Sequence, residues 1–357
     1  MRYLILLLPF LLGCGHQPKQ GSHAFYYWKF DSESDPSAAD TALIRKLHVD
    51  HFYIHYFDVD WSEALGMPVP KGARYYYSDI TPMLNGTYCP VVFITNRTFE
   101  TMGEDSCEWL AGKITAKIND MTAGFENRAA GQAYKAGQNW LEEKPKIIAR
   151  REELHKEVQI DCDWTPSTKD KYFHFLRAFK ALNKEKELSA TIRLYPYKYY
   201  RKMGIPPIDR GMLMCYNMDR IDKLATANSV FDKKVLTSYL VGTHYPLPLD
   251  VSFPIFGWYA WFRGNQFRGI VHDVDEVTKV GIINSKSLIS RDTTLDGRFF
   301  REGDLVRREY PDSGTLKSAI DLAMRKVPAY RHVTFYHWDP NSIAAYEDII
   351  QETFADY

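Results

Sequence analysis

The chain has 357 residues, 45% hydrophobic and 25% charged, an ordinary globular composition long enough for one large domain or two modest ones. Its 45 basic and 45 acidic side chains cancel, so no overall field favours nucleic acid or an anionic membrane surface. The cysteines form no CxxC pair or other metal-ligand spacing, which argues against a zinc site, and neither a metal nor a cofactor is expected.

The first residues, MRYLILLLPFLLGCG, combine a basic start at Arg2 with an apolar run too short to span a bilayer, the pattern of a signal peptide. The tail Leu11-Leu12-Gly13-Cys14 resembles the bacterial lipobox, whose cysteine is lipidated and becomes the mature N-terminus. That resemblance implies a signal segment over 1–13, a palmitate-bearing Cys14, a polar tether over 14–23, and a lipid-anchored protein of the bacterial cell envelope, at the outer membrane. The remaining cysteines, Cys89, Cys107, Cys162 and Cys215, do not read as a disulfide framework and are expected as small buried apolar residues.

From residue 24 onward, short β-rich runs recur. They are AFYYWKF (24–30), HFYIHYF (51–57), CPVVFITN (89–96), EVQIDCD (157–163), LSATIRL (188–194), GMLMCYN (211–217), DVSFPIFGW (250–258) and HVTFYHW (332–338). Helical stretches separate them, over 37–47, 107–118, 168–182, 314–327 and 342–355. The third of these sets Tyr172, Phe173, Leu176, Phe179 and Leu182 on one apolar stripe. Eight strands alternating with helices predict a parallel sheet, and the count predicts a closed (β/α)8 barrel over 24–357. A doubly wound open sheet would carry a Gly-rich phosphate turn after its first strand; here DSESDPSAAD follows instead. Two insertions break the rhythm: a polar helical excursion over 119–150, and a small β-rich unit over 262–313 before the last helix and strand.

In EVQIDCDWTPS (157–167), Asp161, Asp163 and Thr165 alternate with Ile160, Cys162 and Trp164. On a barrel strand one set faces the helices and the other the lumen, so two carboxylates at a strand's C-terminal end belong in the mouth of the barrel. Buried side by side they would split their pKa values, unless they form only a solvated edge or an internal salt bridge.

The stretch IDCDWTP resembles the fourth-strand signature of glycoside hydrolase family 18, the chitinase-like barrels, which runs Asp-Gly-x-Asp-x-Asp-x-Glu. Its second and third aspartates fall on Asp161 and Asp163, its first on Val158, and its closing glutamate on Thr165. MCYN (214–217) resembles that family's Met-x-Tyr-Asp/Asn motif, and FYHW (335–338) ends on Trp338 where the family sets a tryptophan beneath the sugar. The resemblance implies that Asp163 orients the substrate's acetamido group, that Asp161 supports it, and that Tyr216 donates a hydrogen bond to it, with Asn217 beside them. Threonine cannot replace the family's general acid near neutral pH, a loss of roughly 10²–10⁴-fold in rate. Asp58 or Asp339, at the ends of the second and eighth strands, could substitute; each could equally be a cap.

Aromatic residues make up 15% of the chain, with 24 Tyr and 8 Trp, which suits stacking on sugar rings as well as an aromatic core. Trp28, Tyr56, Trp258 and Trp338, read as strand-end residues, are the expected walls of a glycan site. Arg193, ending the fifth strand, is the expected partner of Asp163 or of a substrate group. Two functions follow: a glycoside-hydrolase-like barrel that binds and hydrolyses a glycan, or an inactive carbohydrate-binding or envelope-assembly protein. A metal-dependent hydrolase would need a His-x-His cluster at strand ends, which the sequence lacks.

Overall fold

The computed structural model describes residues 21–29, 36–72, 86–272, 286–295, 297–327 and 330–357. The segment 1–13, Cys14 and the tether as far as residue 20 lie outside them. Each β-rich run forms a parallel strand: β1 (Ser22–Tyr27), β2 (His51–Ser62), β4 (Thr87–Ile94), β5 (Glu157–Asp161), β6 (Glu187–Arg193), β7 (Arg210–Met214), β8 (Leu249–Pro254) and β15 (His332–Tyr336). The order runs β1-β15-β8-β7-β6-β5-β4-β2, and pairing of β1 with β2 closes the ring. A short β3 (Met67–Lys71) folds back antiparallel on β2 as a hairpin.

Alternation along each strand sorts the side chains. Outward residues such as Phe25, Ile54, Val92, Ile160 and Phe335 join the layer beneath the helices, whereas Ala24, Tyr26, Tyr53, Cys89, Val91 and Met212 fill the lumen. The helix Lys169–Leu182 buries Tyr172, Phe173, Leu176 and Phe179 as its periodicity predicts, with Phe175 beside them. Leu182 departs from the predicted stripe and is exposed, because the helix ends there at its Asn183 cap. All four described cysteines are buried and unpaired. No helix among the described residues is long and apolar enough to cross a membrane.

The first insertion is two helices, Cys107–Lys135 and Trp140–Leu154. The second is β-rich and starts slightly earlier than its composition suggested. It comprises β9 (Trp258–Arg263), β10 (Gln266–Val271), β11 (Lys286–Leu288), β12 (Thr293–Leu295), β13 (Arg298–Phe300) and β14 (Leu305–Glu309), arranged as a four-stranded sheet β10-β9-β14-β11 and a β12–β13 ribbon. It has its own core, including Tyr259, Trp261, Phe300 and Val306. A fully buried ion pair, Arg307 with Glu309, ties this sheet to the barrel. Arg307 donates to the carbonyls of Ile221 and Lys223, and Glu309 accepts from Ser229 and from the Trp258 indole. These bonds satisfy both charges, without which their burial would cost several kcal/mol.

Candidate active site

At the C-terminal end of the barrel, β5 carries Asp161 and Asp163 to the mouth. Thr191 on β6 donates to Asp161 Oδ1 at 2.6 Å. Asp163 Oδ2 lies 3.0 Å from Arg193 Nη1, at the end of the same β6 strand, and a second Arg193 nitrogen reaches the Asn217 carbonyl at 3.4 Å. Burial, then the neighbouring Asp163 charge, pushes the Asp161 carboxyl up to about 7. Asp161 therefore holds its proton close to neutrality, beside an Asp163 that is paired with a guanidinium.

Asp58 reaches the same mouth by way of an irregularity in β2. The register between β2 and β4 shifts between His55 and Phe57, so the extra residue turns both Tyr56 and Phe57 outward. Asp58 is then restored to the inner face, where His55 Nε2 stands 2.7 Å from its Oδ1 and its charge acts on Asp161 and Tyr336. The same bulge corrects the expectation for Tyr56. Its ring lies against Phe125 beneath the helices, and its hydroxyl meets Thr122 at 3.3 Å, so it takes no part in the mouth.

The aromatic wall is made by Trp28, Tyr216, Phe256 and Tyr336. Tyr336 stacks on Tyr216 with centroids 5.2 Å apart and packs against Trp28 at 5.7 Å, while Phe256 meets Tyr216 edge-on. Burial, with Tyr336 and Asp161 adding to it, raises the Tyr216 phenol well above its ordinary range, so it remains a hydrogen-bond donor. Trp338, expected as the floor, is corrected: β15 ends at Tyr336, and the Trp338 indole enters the layer outside the barrel between Phe25 and Phe52. There its Nε1 donates to Asp40 at 2.7 Å. That site offers both apolar contact and an acceptor for the indole N–H. Tyr336 and Phe256 were missed in the sequence; continuing the alternation His332, Thr334, Tyr336 would have found the first.

Four further candidate residues take the following places. Trp258 belongs to β9 of the inserted sheet rather than to a barrel strand end, and its indole N–H is held by Glu309 at 2.8 Å. Its ring borders a cleft of about 870 Å³ between that sheet and the barrel, with Phe256, Arg308, Tyr310, Tyr336 and Asp339 also on the walls. Asp339 caps the helix Pro340–Ala345, accepting from Ser342 N at 2.7 Å, a bond that occupies one oxygen of the carboxylate expected as a substitute acid. Asn217 adopts a left-handed backbone (φ 53°) with an exposed side chain, a conformation asparagine tolerates. Thr165 turns into a hydroxyl cluster with Ser167 and Thr168, at 2.8 and 3.2 Å, and Thr168 in turn donates to Asn96.

No protein-family model matches the chain, and no curated protein matches it. Among solved structures, the fold is similar to the spore cortex-lytic enzyme SleL of Bacillus cereus, with a TM-score of 0.50 at 15% identity over 94% of this chain and 74% of that one. A glycoside hydrolase family 18 N-acetylglucosaminidase from Paenibacillus barengoltzii has a TM-score of 0.48 at 11% identity, over 93% of this chain and 99% of that one. The likeness is one of fold: a closed eight-stranded parallel barrel with flanking helices, highly diverged in sequence.

Proposed function

We propose that the barrel mouth binds an N-acetylated glycan and hydrolyses it slowly, with Asp161 delivering the proton that a glutamate at the position of Thr165 would otherwise deliver. The observation that carries this reading is the Asp161 carboxyl, buried and pushed up to about 7 beside an Asp163 that is paired with Arg193. The substrate's acetamido oxygen attacks the anomeric carbon as the glycosidic C–O bond breaks. The Asp161 proton passes to the leaving oxygen, and Asp163 orients the acetamido N–H. Water then opens the cyclic intermediate and returns a proton to Asp161. Trp28 and Tyr336 offer faces for a sugar ring, and Tyr216 a hydroxyl for the acetamido carbonyl.

The test is reducing-end release from a panel of N-acetylated oligosaccharides across pH. Turnover should fall on an alkaline limb near pH 7, and Asp161→Asn should remove most of the rate together with that limb. The second reading, binding without cleavage, is favoured by the Thr165 hydroxyl being engaged with Ser167 and Thr168. Saturable binding with no release in wild type would establish it over the first. The proposal extends to a lipid anchor at Cys14 in the bacterial envelope, supported by the LLGC motif and the polar residues after it.

A further inference from the structure

At the opposite, N-terminal end of the barrel, His51, Glu157 and His332 open strands β2, β5 and β15, and each brings one ligand atom within 4.8 Å of the others, all buried. The two imidazoles stack with centroids 4.1 Å apart. Their outer nitrogens are engaged by hydroxyls from the adjoining strands: His51 Nδ1 by Thr87 at 2.7 Å, and His332 Nδ1 by Ser22. Thr87 and Ser22 are the direct ladder partners of those histidines, so the pairing register itself supplies the contacts.

With Nδ1 held by Thr87, His51 Nε2 is left buried and without a hydrogen-bond partner. Glu157 Oε2 accepts from Arg331 Nη2 at 2.6 Å, and its Oε1, beside Ser189, makes no hydrogen bond of ordinary geometry. Tyr53, next on the inner face of β2, adds a buried hydroxyl without a partner. Burying such groups without partners is unfavourable. Among the described residues, the ion pairs here set three carboxylates, Glu157, Glu187 and Asp250, against the guanidiniums of Arg331 and Arg210.

We propose that His51, His332 and Glu157 bind a divalent transition metal, zinc by the match of two imidazoles and a carboxylate, as a clasp across the base of the barrel. Thr87 and Ser22 orient the ligands from behind, the arrangement that outer-shell partners make at histidine metal sites. Its place at the N-terminal face, away from the mouth, makes it structural. Ligands drawn from residues 51, 157 and 332 leave no spacing pattern, which is why the cysteine and histidine count gave no sign of a metal.

The experiment uses the tag-free chain without its N-terminal leader, stripped with a chelator and titrated with Zn²⁺ by calorimetry and with Co²⁺ by visible absorption. The result expected is one equivalent of either ion, a ligand-field spectrum of nitrogen and oxygen donors, and a melting temperature raised by zinc. Thr87→Val should weaken binding about 10–100-fold, and His332→Gln should abolish the stoichiometric site. Wild-type protein that is folded yet binds neither ion saturably overturns the proposal. So does metal binding that is unchanged in Thr87→Val, the variant that decides if His332→Gln does not fold. Glycan binding at the mouth is read separately, so either conclusion can fail alone.

Discussion

At Asp161, burial and the neighbouring Asp163 charge act in the same direction, and the hydrogen bond from Thr191 does not offset them. Its carboxyl, raised from 3.8 to about 7, gives the folded chain a proton that the unfolded chain releases. Stability therefore falls as pH rises through that window and is level above it. Asp161→Asn keeps an acceptor for Thr191 and should be more stable than wild type by on the order of 1–3 kcal/mol above neutrality, with no gain at low pH. Denaturant midpoints at two pH values read this directly; a variant equally destabilised at both would show that the carboxylate is stabilising. Trp338 and Tyr336 make a second contrast. Trp338→Phe leaves the buried Asp40 Oδ1 without the indole donor and should cost about 1–3 kcal/mol of stability with glycan affinity unchanged. Tyr336→Ala should weaken glycan binding, as judged by titration calorimetry.

Among the elements, β2 and the inserted sheet decide the shape of the mouth. The bulge at Tyr56 is what brings His55 and Asp58 together on the inner face, and nothing in HFYIHYFDVD marks it, because every residue before Asp58 suits either side of a strand. The inserted sheet is held where β8 leads into β9 at Gly257, whose missing Cβ would stand 2.5 Å from the Glu309 carbonyl oxygen. Gly257→Ala should displace the sheet and enlarge the cleft beside Tyr336. Glu309→Ala leaves the Arg307 charge buried without its partner and should cost about 3–5 kcal/mol, measurable as a shift in thermal midpoint. A small effect would mean that the insertion is loosely docked.

For the molecule as a whole, the barrel was legible because eight β-rich runs at helix-length spacing leave few topologies, and each run became a barrel strand. Asp161 and Arg193, the last residues of β5 and β6, were legible for the same reason, and the alternation carries on past β5 to Asp163, with Cys162 and Trp164 in the outer layer. Tyr56 and Trp338 were not, since one sits at a bulge and the other follows a strand past which the alternation is not kept. The base of the barrel was hidden for a third reason, its polar groups being scattered over three distant strands. Cys14 lies outside the described residues, and the anchor proposed there predicts that Cys14→Ser moves the protein from the membrane fraction to the soluble one; unchanged partitioning would contradict it. The central claim, that the mouth is a glycan site built on Asp163 and the aromatic wall, is tested most directly by calorimetric titration of N-acetylglucosamine oligosaccharides into wild type, Asp163→Ala and Trp338→Phe. The account predicts saturable binding to wild type, weakened by about 1–3 kcal/mol in Asp163→Ala and unaltered in Trp338→Phe. Binding that is absent from wild type, or indifferent to Asp163, would contradict it.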